Sequence, residues 1–121
     1  MKIVYIAHPI GGDVKGNIAK VLKIVRQINL TEKDVVPLAP YLADLLCMDD
    51  SNPEERQRGM LNDFAVIKSG MINELWIYGP KLSKGMREEI ATAWNHNVII
   101  VAKDPHTIIP IQYRMILQKG Y

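Results

Sequence analysis

The chain has 121 residues, 48% of them hydrophobic, with 15 Lys plus Arg against 13 Asp plus Glu. That length suits one domain, residues 1–121, and is too short for two, while the scattered, nearly balanced charge excludes the basic stripe of a nucleic-acid binder. The single Cys47 excludes an internal disulfide, the opening "MKIVYIAHPIGG" is too short an apolar run for a signal peptide, and no run reaches the roughly 20 residues of a membrane span. The expectation is a cytoplasmic protein with neither a membrane nor a nucleic acid as partner.

"KIVYIA", Lys2 to Ala7, is a β-branched run that stops at His8-Pro9-Ile10-Gly11-Gly12, so it predicts a buried strand followed by a loop. From Val14 the apolar residues Val14, Ile18, Val21, Leu22, Val25 and Ile28 recur at helical spacing and predict the first helix. "DVVPLAP", Asp34 to Pro40, predicts a short second strand whose prolines belong at a sheet edge. Asp49 to Pro53 breaks any helix; Asn52 as N-cap, Pro53 at N1 and Glu55 at N3 then start a long one that runs to about Met71. "NELWIYG", Asn73 to Gly79, predicts a third strand covered on both faces. "LSKGMREEIATAW" supplies the next helix, "NVIIVA" from Asn97 to Ala102 a fourth strand, and the tail after Pro110 a short final helix.

The order β-α-β-α-β-α-β predicts a three-layer, doubly wound parallel sheet of the Rossmann or flavodoxin kind, with ligands at the carboxyl ends of the strands. The loop of His8, Pro9, Ile10, Gly11 and Gly12 and the turn of Ser83, Gly85 and Met86 are therefore the substrate-binding candidates. Two glycines without side-chain bulk let backbone amides approach a ligand, and a hydroxyl at a helix N-terminus suits an anion or a sugar hydroxyl. The plain alternative is a turn and an N-cap. No Gly-x-Gly-x-x-Gly or Gly-Lys-Ser/Thr occurs.

Helical phase separates the adjacent Glu88 and Glu89. Met86, Ile90, Ala93 and Trp94 define the apolar face; Glu89 lies on its flank and Glu88 points to solvent. On the long helix Met60, Phe64, Ile67 and Met71 make the inner face, with Asp63 on its flank. The alternatives are that Glu89 merely answers the helix dipole and that Asp63 pairs with Arg56 or Arg87. Two flank carboxylates on successive helices are also the arrangement that can divide into a nucleophile and a proton donor. His8 borders the crevice, His96 and His106 belong to the surface, and no clustering of His, Cys or acidic residues indicates a metal.

"YIAHPIGG" (Tyr5 to Gly12), "NDFAVI" (Asn62 to Ile67), "NELWIYG" and "LSKGMREEIATAW" together resemble the nucleoside 2-deoxyribosyltransferase-like superfamily, which includes deoxynucleoside monophosphate N-glycosidases. The resemblance spans about Met1 to Ala102, and its most specific element is Ser-x-Gly-Met-x-x-Glu, ending on Glu89. It implies that Glu89 attacks the anomeric carbon of a 2-deoxyribosyl group, that Asp63 protonates the departing base, and that Tyr5 orients Glu89. It implies no metal or redox cofactor, a nucleoside or nucleotide substrate, and a homo-oligomer. The chain departs from the pattern at Asn73, where many relatives carry Asp, and at His8-Pro9-Ile10. The competing reading is a binding module that holds a nucleotide or nucleotide-like signal in the same crevice without turnover. A receiver domain fits less well, because His8-Pro9 and Gly79-Pro80 stand where its acidic cluster and phospho-acceptor belong.

Overall fold

A computed structural model describes residues 1–121. The chain forms β1 (Lys2–Ala7), α1 (Val14–Thr31), β2 (Val35–Leu38), α2 (Tyr41–Cys47), α3 (Pro53–Lys68), β3 (Glu74–Ile77), α4 (Lys84–Asn95), β4 (Ile99–Ala102), a 3₁₀ turn (Ile111–Tyr113) and β5 (Leu117–Lys119). All strands pair in parallel, in the order β2-β1-β3-β4-β5. Parallel pairing leaves no room for hairpins, so each crossover covers a face of the sheet and the central strands become apolar on both sides.

Alternation along the strands sorts the core into two clusters. Val4, Ile6, Trp76 and Val101 pack with Ile28 of α1, whereas Tyr5, Leu75, Ile77 and Ile100 pack with Ile67 of α3 and Met86, Ile90 and Ala93 of α4. Each fully buried aliphatic side chain contributes on the order of 1.5–3 kcal/mol over leaving it exposed. β2 is an edge strand, as suits its single proline, Pro37, which stands opposite Val4. The chain leaves β1 toward β2 but leaves β3 toward β4, so the direction of winding reverses between the neighbouring strands β1 and β3. Their carboxyl ends, level at Ala7 and Ile77, open the crevice expected at such a switch point.

Several caps follow the local sequence. Asp13 Oδ1 accepts from the Gly16 amide at 3.0 Å and Asn52 Oδ1 from the Glu54 amide at 3.0 Å, each worth about 1 kcal/mol. α4 ends in a left-handed Asn97 (φ 60°), with the amides of Asn97 and Val98 donating back to the carbonyls of Trp94 and Ala93.

The structure adds two elements to the predicted order and shortens others. Tyr41–Cys47 is a helix of its own, anchored where buried Tyr41 donates to the Ile6 carbonyl at 2.6 Å. The tail forms a 3₁₀ turn and β5 in place of a final helix. Pro110 has no amide to donate, and the exposed edge of β4 offers Leu117–Lys119 a full ladder, which Gly120 extends by donating to the Ala102 carbonyl at 2.9 Å. α3 stops at Lys68, before Met71, and β4 starts at Ile99 because Asn97 is part of the preceding cap. Leu22 and Trp94 are exposed rather than inward. No helix is long and apolar enough to cross a membrane.

Candidate active site

A cavity of about 270 Å³ opens over the carboxyl ends of β1 and β3. Its walls come from the loop after β1 (His8, Ile10, Gly11), from α2 (Tyr41, Asp44), from α3 (Arg56, Met60, Asp63) and from the first turns of α4 (Ser83 to Met86, and Glu89).

Tyr5 lies on the interior strand β1, wholly buried. Its hydroxyl donates to Oε2 of Glu89, which is 6% exposed on α4. Tyr41 packs edge-on against Tyr5, with ring centroids 6.1 Å apart, and spends its own hydroxyl on the Ile6 carbonyl. Burial, reinforced by the Glu89 and Asp63 carboxyls, pushes both tyrosine hydroxyls up, so both stay protonated as donors. Glu89 Oε1 has no hydrogen-bond partner and belongs to the cavity wall.

Asp63 lies on the flank of α3, 4% exposed, with Oδ1 shut away from solvent and without a partner. The one ion pair in the chain joins Lys2 to Glu74, so Asp63 pairs with neither Arg56 nor Arg87; Arg87 instead lies over the Tyr113 ring. An unpartnered buried oxygen costs on the order of 1–3 kcal/mol, a cost that a protonated carboxyl or a bound donor relieves. Burial, with the Asp44 charge behind it, pushes Asp63 up to about 7. Burial also pushes Glu89 up to about 8, the Asp63 and Glu88 charges act in the same direction, and the hydrogen bond from Tyr5 opposes them. The two carboxyls therefore titrate as a unit that keeps one proton near neutrality.

The two glycine-bearing loops meet through Gly79. It adopts φ +99°, and a Cβ there would lie 2.5 Å from Pro9 Cδ, so only glycine fits. His8 Nδ1 donates to the Pro9 carbonyl at 2.6 Å, and burial lowers the imidazole pKa, leaving a neutral ring at the cavity wall. Asn17 of α1 holds the loop by donating to the Ile10 carbonyl at 2.9 Å. Ser83 Oγ accepts from the Met86 amide at 3.2 Å as the N-cap of α4.

Of the residues singled out from the sequence, Glu89, Asp63, His8, Ile10, Gly11, Ser83, Gly85 and Met86 line one cavity. Tyr5 reaches it through Glu89, while Pro9 and Gly12 stand outside, Pro9 packed on Gly79 and Gly12 in open space at φ +88°. The sequence pattern assigns no role to Tyr41, Asp44, Lys84 or the pinning residue Asn17. The short α2 carries the first two, and its "YLADLLC" does hold helix formers, a signal obscured by the Asp-Asp-Ser-Asn-Pro break beside it. No three His, Cys, Asp or Glu side chains are grouped as ligands for a metal ion.

No curated protein matches the sequence. Residues 2–103 match a family described as a domain of unknown function, DUF7768, a span that takes in β1 to β4 and every residue of the cavity wall. With most of its length inside that match, the chain belongs to the DUF7768 domain family.

Proposed function

We propose that the protein cleaves or transfers the N-glycosidic bond of a 2′-deoxynucleoside or its 5′-monophosphate, with Glu89 as nucleophile and Asp63 as proton donor. The observation that carries the reading is a buried glutamate fixed at one oxygen by Tyr5 and free at the other, sharing a cavity with an unpartnered buried aspartate.

Burial holds Glu89 above Asp63 even with the Tyr5 hydrogen bond in place, so the singly protonated pair rests with its proton on Glu89; the reactive form is the tautomer with the charge on Glu89, which the Tyr5 hydrogen bond favours, and the proton on Asp63. Glu89 Oε1 then attacks C1′ while the bond from C1′ to the base nitrogen breaks, its electron pair leaving with the base, which takes the Asp63 proton. The resulting glycosyl ester is resolved when water, or the nitrogen of a second base, attacks C1′ while the bond from C1′ to Glu89 Oε1 breaks, its electron pair returning to the carboxylate, and the attacking group gives its proton to Asp63. This is the division of labour of retaining glycosidases, with two carboxyls around an oxocarbenium-like transition state. Gly11, Ser83 and Gly85 are the groups that hold the sugar or its phosphate.

The exposed Cys47 thiol fits a reducing, cytoplasmic setting. Ile108, Ile111 and Met115 stand exposed on the tail, Met115 at 93%, and fit burial against a second copy in a homodimer; Ile109 packs on its own core. Light scattering on the size-exclusion peak reads twice 13.7 kDa if that is so, and a concentration-independent 13.7 kDa species removes the dimer.

The test is chromatographic detection of free base from a panel of deoxynucleosides and their 5′-monophosphates. Release is expected from at least one member and from none with Glu89→Ala. Nucleotide binding with no release by the native protein would replace this reading with a non-catalytic one.

A further inference from the structure

The mechanism leaves several charged groups of the cavity unused, and one of them, Asp44, acts directly on the Asp63 carboxyl. Asp44 of α2 lines the same wall as Asp63 and Glu89. Its Oδ2 accepts from Nδ2 of Asn62 at 3.3 Å, and Asn62 Oδ1 accepts from Nε of Arg58 at 3.2 Å, so the carboxylate is held by a neutral amide that is itself held from outside. Gly59 of α3 lies against Asp44, where a Cβ would sit in ordinary contact, 3.7 Å from the Asp44 Cβ. Asp44 takes part in no ion pair, and its Oδ1 has no hydrogen-bond partner. Beside it, Asp63 lines the same cavity, buried and with its inner Oδ1 unsatisfied by any group of the protein.

Two neighbouring carboxyls are most stable with a single charge between them, and the more buried one keeps the proton. Asp63 then offers an O–H donor and Asp44 an acceptor, side by side. Resting on the glycosidic reading above, we propose that Asp44 and Asp63 jointly read one edge of the leaving base and select a base with a ring nitrogen beside an exocyclic amine, the pattern of adenine and cytosine.

The ring nitrogen accepts from Asp63, at an atom where the departing base can take up its proton. The amine donates to Asp44, in the way aspartate accepts from the amine of cytosine in nucleic-acid recognition. Hypoxanthine and uracil present a carbonyl oxygen where the amine would be, and that oxygen meets the Asp44 carboxylate acceptor to acceptor. Sites built to hydrogen-bond one substrate group reject the analogue that lacks it by large factors, and the discrimination expected here is at least on the order of 10²-fold in kcat/KM.

The experiment compares base release from 2′-deoxyadenosine with 2′-deoxyinosine and from 2′-deoxycytidine with 2′-deoxyuridine, each also as the 5′-monophosphate, by the native protein and by Asp44→Asn. In parallel, calorimetry measures binding of the same eight compounds to the native protein, to Asp44→Asn and to Glu89→Gln. The native protein is expected to favour the amine-bearing member of each pair by about 10²-fold, and Asp44→Asn, whose amide can donate to a carbonyl, to narrow or reverse the ratio. Equal release and equal binding within both pairs, or a preference that Asp44→Asn leaves intact, overturns the assignment of Asp44 even if base release is robust. A binding preference that depends on Asp44, without release of any base, upholds the base-reading pair and overturns the glycosidic chemistry alone.

Discussion

Tyr5 and Glu89 are 84 residues apart in the chain, and the hydroxyl of the first donates to the carboxyl of the second inside the core. One comes from the interior strand β1 and the other from α4, which shares a core cluster with that strand, so the bond ties the nucleophile candidate to the buried sheet. Removing the donor with Tyr5→Phe leaves Oε2 without its partner and raises the Glu89 carboxyl further. The expected result is a fall in kcat on the order of 10²-fold, with the acid limb of the pH profile displaced to higher pH. An unmoved acid limb would mean that Tyr5 only fills space.

The coupled carboxyls predict a narrow pH optimum. With Asp63 pushed up to about 7 and Glu89 to about 8, the singly protonated pair is most populated between those values, and kcat/KM falls on both sides. Asp63→Asn cannot lose a proton and is expected to abolish the alkaline limb along with most of the rate on poor leaving bases. A full bell in that variant would remove Asp63 as the acid.

The same burial has a stability signature whose sign follows from linkage. In the unfolded chain both carboxyls titrate near 4, but in the fold they hold their protons to about 7 and 8. Between roughly pH 4 and 8 the native state therefore binds more protons than the unfolded state, so stability falls as pH rises. Glu89→Gln keeps an acceptor for Tyr5 without a charge, and it is expected to gain a few kcal/mol at pH 8 and nothing at pH 4. Calorimetric melting from pH 4 to 9 checks this; parallel curves for the two proteins would contradict it.

Thr107, beyond the residues shared with the domain family, pins the loop that leads into α4. Its hydroxyl donates to the Gly79 carbonyl, and the next amide, of Ile108, donates to the Pro80 carbonyl at 2.8 Å. Thr107→Val keeps the shape and leaves that carbonyl unpaired, which is expected to cost on the order of 1–2 kcal/mol and to lower kcat more than it raises KM. Thr107→Ser restores both. Equal loss in the two variants would show that the methyl, not the hydroxyl, matters.

Helical phase alone separated Glu89 from Glu88, because at about 100° per residue Glu89 lies about 60° from Met86 on one side. Trp94, about 80° away on the other side, is 53% exposed, so the apolar stripe is narrower than the four residues chosen for it. Both ends of β1, the Asn52 and Ser83 caps and the edge position of β2 were legible for the same reason: each depends on residues a few positions apart. α2, β5 and the Thr107 contact were not, since each is fixed by a partner far along the chain, at Ile6, Ala102 and Gly79 respectively. Asp44 escaped notice because its setting depends on Asn62 and Asp63, which only the packing of α2 on α3 brings near.

The measurement closest to the central claim is peptide mass spectrometry after a rapid acid quench of the protein with a deoxynucleoside that it turns over. The account predicts a 2-deoxyribosyl adduct on the peptide containing Glu89, and neither adduct nor base release with Glu89→Gln. Base release by Glu89→Gln at the native rate, or an adduct on another residue, would contradict it.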